Sequence, residues 1–94
     1  MGHIDARLAE LGITLPAVAT PVAAYVPAMT SGSLLFTAGQ LPFVDGALLA
    51  TGKVGAEVSA SQAAGLARVC ALNALAAAHS VLGSLDKVTR VVKV

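Results

Sequence analysis

Residues 60–82 constrain the fold of this chain more than any other stretch. Ser59-Ala60-Ser61-Gln62 is a capping box, in which Ser59 accepts from the first helical turn and Gln62 reaches back to the backbone of Ser59. The pattern predicts a helix from Ala60 to Leu82, with Gly83 just beyond its end. Two apolar stripes run along it. One holds Ala64, Ala67, Ala71, Ala74, Leu75, Ala78 and Leu82, small residues that suit close packing on a sheet. The other holds Leu66, Val69, Cys70 and Ala77. A helix apolar on nearly two faces is covered on two sides. One cover is a sheet; the other has to be a second helix or a neighbouring subunit, and the sequence contains no second long helix.

Composition sharpens that point. With 94 residues there is room for one small domain, yet 56% of them are hydrophobic and only 12% are charged. Globular chains average roughly 45–50% apolar residues. A chain this short cannot hide so much apolar surface alone, so a subunit interface or further chain segments should take up the excess. Net charge is +1. Arg7, Lys53, Arg68, Lys87, Arg90 and Lys93 are scattered and no aromatic residues interleave with them, which disfavours nucleic acid and an acidic membrane surface as partners. The single cysteine, Cys70, excludes an intrachain disulfide and fits a reducing, cytoplasmic setting. Arg7 and Glu10 interrupt any apolar core of a secretory signal, and Arg68, Asn73 and His79 argue against reading the long helix as a membrane span.

The rest of the chain reads as short elements. Ile4, Leu8 and Leu11 predict a leading helix over 4–11 that stops at Gly12. Thr14 to Pro21 is an extended connector. Val22 to Met29 reads as a strand restricted by Pro27 to an edge or bulge, Thr30-Ser31-Gly32-Ser33 as a turn, and Leu34 to Gln40 as the returning strand. Asp45-Gly46 joins Phe43-Val44 to Ala47-Leu48-Leu49 in a tight hairpin. The β-branched run Lys87 to Val94 reads as a final strand, and its abrupt end suggests a fold cut short. The order, a short helix, a hairpin, a third strand, a long helix and a strand, gives one α+β domain over 1–94, with 1–20 as leading helix and connector.

Few residues carry chemistry on their own. His3 and His79 have no metal-binding spacing, and Asp5, Glu10, Asp45, Glu57 and Asp86 are dispersed at turns and helix ends, where capping and solvation explain them. Cys70, among apolar neighbours, reads as a small hydrophobe rather than a nucleophile. Asn73 places an amide on an apolar helix, so it needs hydrogen-bond partners, most simply on a neighbouring strand. Gly39, at a strand end, is either an ordinary bend or a place where something approaches the backbone closely or φ turns positive. Tyr25, the one tyrosine, either orients a ligand or sits at an interface.

Tyr25-Val26-Pro27-Ala28, followed by Ser31-Gly32-Ser33-Leu34-Leu35-Phe36-Thr37-Ala38-Gly39-Gln40-Leu41-Pro42, resembles the signature of the Rid family, also called YjgF or endoribonuclease L-PSP. The resemblance continues through Gly46, Gln62, Asn73, Gly83 and Leu85-Asp86-Lys87-Val88, covering 21–94, with a leading helix and a Gly52–Gly55 segment suggesting a divergent bacterial branch. It implies a chorismate-mutase-like sheet backed by helices and a homotrimer with ligand clefts between subunits. It also implies hydrolysis of reactive imines such as 2-iminopropanoate to keto acid and ammonia, with no metal or organic cofactor because the imine is already electrophilic. Tyr25, Ala38, Gly39 and Gln40 become the candidate substrate-binding residues; no catalytic residue is assigned. Two departures stand out. Ala38 replaces the family's usual serine. The family's carboxylate-gripping arginine and an acidic residue implicated in handling water lie on a later segment with no counterpart here, and Arg68 and Arg90 do not match the arginine's place. Alternatives are therefore a trimer that binds a small carboxylate without turnover, an RNA-cleaving or translation-inhibiting protein, and an inert fragment.

Overall fold

The computed structural model describes residues 2–21 and 23–94. Its order is α1 (His3–Glu10), β1 (Ala28–Ser31), β2 (Leu34–Thr37), β3 (Phe43–Val44), β4 (Ala47–Leu48), α2 (Ala60–Leu82) and a 3-10 turn (Leu85–Lys87). The expected α+β arrangement is present, with the strands as two antiparallel hairpins, β1–β2 and β3–β4. α2 packs against β1, β2, β3 and the 3-10 turn.

Local chemistry sets the element ends. At the start of α2 the Gln62 N–H donates to Ser59 Oγ at 3.1 Å and the Ser59 N–H donates to Gln62 Oε1 at 2.8 Å, so the capping box is complete. At its other end Gly83 takes φ 78°, a left-handed conformation that a side chain would disfavour, and its N–H donates to the His79 carbonyl. Asp45 and Gly46 both have positive φ, 51° and 81°, which is the type I′ turn that matches strand twist. α1 closes through Gly12 N–H to Ala9 O and Ile13 N–H to Leu8 O, the Schellman arrangement.

Three expectations need correction. The strand predicted over Val22–Met29 begins only at Ala28, after Pro27, and runs to Ser31, because Gly32 and Ser33 suffice to turn the chain; Val22 itself lies outside the described residues. Its partner ends at Thr37 rather than Gln40, although the Ala38 N–H still donates to Pro27 O at 2.8 Å. The segment Lys87–Val94 is not a strand: after the 3-10 turn it runs without a ladder partner, and Val91 and Val92 are 71% and 74% exposed. β-branched residues favour a strand only where another edge offers its N–H and C=O groups.

The rotation of α2 also departs from the expected one. Ala64, Ala67, Ala71 and Leu75, predicted to lie on the sheet, are exposed. Asn73, Ala76, Ala77 and Ala78 are the buried positions, and Leu66, Val69 and Cys70 are half-buried. Asn73 fixes this rotation. Its amide donates to Leu41 O and Phe43 O, both at 3.1 Å, and only the face carrying Asn73 can meet those carbonyls. The apolar core is small: Val58, Ala76, Ala77, Ala78 and Leu85. By length and composition α2 is apolar enough to cross a bilayer; here one side of it packs on the hairpins.

Candidate functional site

The segments on either side of the β1–β2 hairpin converge. Tyr25 and Pro27 come from the approach to β1, Gly39, Gln40 and Leu41 from the exit of β2, Phe43 from β3, and Ala19 and Thr20 from the connector; together they line one recess. The hairpin register explains the meeting. Ala28 pairs with Thr37, so the residues just before and just after these positions must lie side by side. Tyr25, Gly39 and Gln40, far apart in sequence, therefore share a wall.

Ala38 does not line the recess. Its backbone closes the hairpin instead: the N–H donates to Pro27 O and the carbonyl accepts from Gln40 Nε2 at 3.3 Å. The Gln40 side chain is thus folded over its own strand end. Gly39 adopts neither a positive φ nor a crowded setting, and a methyl group added to it would meet nothing within 4 Å. The space above Gly39 is open to whatever approaches from outside the chain.

Asn73 supports this wall from behind. Its two hydrogen bonds hold the carbonyls of Leu41 and Phe43, which flank Pro42 and define the far side of the recess. Asn73 is 2% exposed, and no buried side-chain nitrogen or oxygen among the described residues lacks a partner. An amide that spends both N–H groups on two carbonyls of one loop is a positioning device. The polar interruption of an apolar helix was the sequence signal for it. Thr20, Ala19 and Phe43 carried no such signal, because the connector's course past the hairpin is a tertiary matter.

The recess is small and uncharged. Its volume is about 10 Å³, roughly what one water needs. None of its lining residues carries a charge. Tyr25 is 42% exposed at its rim. His3 and His79 stay apart from it: His79 faces a different cavity and the His3 backbone is bound to Asp86. Among the described residues no three His, Cys, Asp or Glu side chains converge to hold a metal ion. Beside the recess the outer face of the hairpin presents Met29, paired directly with Phe36, at 61% and 60% exposure.

The fold is of the chorismate-mutase-like class. A family model described as "YjgF/chorismate mutase-like, putative endoribonuclease" matches residues 5–94, and the chain belongs to that family. It is 42% identical over 92 residues to Protein TCP17 of Trypanosoma cruzi, covering 98% of this chain and 58% of that protein. Among solved structures it resembles one described as a putative endoribonuclease from Shewanella oneidensis, with a TM-score of 0.87, 34% identity, and coverage of 93% of this chain and 58% of that one. It also resembles a protein of unknown function from Agrobacterium tumefaciens, with a TM-score of 0.78, 44% identity, and coverage of 94% and 52%. The chain thus spans a little over half the length of each of these relatives.

Proposed function

We propose that the recess is one wall of an inter-subunit cleft that takes a small 2-imino acid and hydrolyses it to the 2-keto acid and ammonia. One observation carries this reading: Tyr25, Gly39 and Gln40 converge on a recess too small to hold a metabolite, beside an exposed apolar hairpin face. A site of that shape needs a second wall. A neighbouring copy in a homotrimer supplies it and covers Met29 and Phe36 at the same time.

In such a cleft the substrate lies over Gly39, where the backbone is uncovered, and the Tyr25 hydroxyl at the rim is placed to hold a polar group of the substrate. Water adds to the imine carbon to give a carbinolamine. The nitrogen takes up a proton, the C–N bond breaks with its electron pair leaving on ammonia, and loss of the hydroxyl proton forms the keto C=O. No histidine, cysteine or carboxylate lines the recess, so the wall described here binds and orients. The charge that holds a substrate carboxylate comes from outside it.

A second reading, a trimer that binds a small carboxylate without turnover, is favoured by Ala38, which offers no hydroxyl, and by the uncharged lining. The test is ammonia and keto-acid release from freshly generated 2-iminopropanoate, run beside direct binding of pyruvate. Release above the uncatalysed rate, reduced in Tyr25→Phe, supports the deaminase. Binding without release supports the second reading. Salt-sensitive cleavage of RNA with neither would replace both with the nuclease that the family description names.

A further inference from the structure

The leading helix is attached to the rest of the molecule in an unusual way. α1 has no buried residue. Among the described residues, the 3-10 turn is the element to which its backbone comes close. Toward α2 there is a groove of about 520 Å³, with Asp5, Leu8 and Ala9 on one side and Ala76, His79 and Ser80 on the other. Helix and connector bridge this groove more than they fill it.

A single carboxylate holds the N-terminus of α1. Asp86 Oδ2 accepts from the His3 N–H and Oδ1 from the Ile4 N–H, each at 2.8 Å. Gly2 occupies the N-cap position and provides no side-chain cap, so Asp86 caps the helix from the other end of the chain. The fit depends on glycine, since a methyl group on Gly2 would overlap the Asp86 carboxylate. Asp86 is in turn placed by its own N–H, which donates to Ser84 Oγ at 3.2 Å.

We propose that α1 and the connector form a detachable strap over the α2 groove, latched by the Asp86 carboxylate on the first turn of α1. An eight-residue helix has little stability of its own, so once unlatched it unwinds. α2 and the hairpins stay folded, since their contacts with one another do not pass through α1. Unlatching takes Asp5, Leu8 and Ala9 away from the groove and widens access to Ala76 and His79.

Hydrogen exchange read by mass spectrometry on the full chain tests this. In the unmodified protein, amides over residues 5–13 exchange faster than those over 64–82. Asp86→Ala and Gly2→Ala attack the latch from its two sides. Each raises exchange over 5–13 by about tenfold and leaves 64–82 unchanged. Asp86→Asn, which keeps one acceptor oxygen and loses the charge, falls between. Unchanged exchange over 5–13 in both alanine variants would overturn the latch. Protection lost equally over 5–13 and 64–82 would overturn detachability, because strap and body would then open as one unit.

Discussion

Asn73 and Asp86 each do with one side chain what a longer element usually does. Asn73 ties α2 to the loop behind the recess, and Asp86 ties α1 to the 3-10 turn. Replacing Asn73 with alanine leaves the Phe43 carbonyl without its Asn73 donor and the Leu41 carbonyl with the Phe43 N–H alone, and is expected to cost on the order of 1–3 kcal/mol in chemical denaturation. Asn73→Asp, which turns a carboxylate toward two carbonyl oxygens, is expected to cost more. Tyr25→Phe, at an exposed rim, should change stability by no more than about 0.5 kcal/mol, so any loss of ligand binding in it is local. The Asp86 carboxyl is held below its ordinary value, first by the Ile4 N–H, against some desolvation, and further by the His3 N–H and the charge of His3. A carboxyl depressed in the folded state stabilises it above the unfolded pKa and loses that contribution as pH falls through the folded one. Docking of α1 should therefore hold at neutral pH and weaken below about pH 4, while Asp86→Ala should be insensitive to that change; exchange over 5–13 measured across this range checks it. The need of Asn73 for partners was legible in the sequence, because an amide on an apolar stripe is costly without them. The role of Asp86 was not, because its partners lie 83 and 82 residues away.

At the scale of elements, α2 shows what local chemistry settles. Its bounds, Ala60 to Leu82, follow from the Ser59–Gln62 box and Gly83, interactions closed within a few residues. Ser59→Ala should lower stability by about 1 kcal/mol. Gly83→Ala, forced into φ 78°, should lower it by about 1–2 kcal/mol; thermal unfolding of the two variants checks both. The Asp45-Gly46 turn was legible for the same reason. What α2 faces was not. Its two stripes are both apolar, and hydrophobicity alone does not choose between them; the choice falls to Asn73 and the carbonyls that it meets. Strand ends behave likewise. Pro27 marked a restriction, but where β1 begins depends on its register with β2.

Across the molecule as a whole, far more large apolar side chains among the described residues stand exposed than lie buried. No large side chain among them is completely buried, while Met29, Phe36, Val26, Leu34 and Leu49 stand exposed. Under the trimer reading, Phe36→Glu places charge in the shared interface. It should shift the protein from trimer to monomer in sedimentation at micromolar concentration and abolish ligand binding in the cleft, with α2 helicity retained. A parent protein that is a monomer at that concentration would remove the second wall and the reading built on it.

The sequence by itself determined both helices, the bounds of the long one, both hairpin turns and the family, and it singled out Tyr25, Gly39 and Gln40 among the residues that meet at the recess. All of these rest on contacts between near neighbours or on motifs that pairing brings together. Tertiary structure alone decided which face of α2 is buried, that Lys87–Val94 stays out of a sheet, that Ala38 turns away from the recess, and that Asp86 caps α1. Each of these depends on whether a distant group is there to complete a hydrogen bond or cover a surface, and no local pattern of residues encodes where that distant group will be.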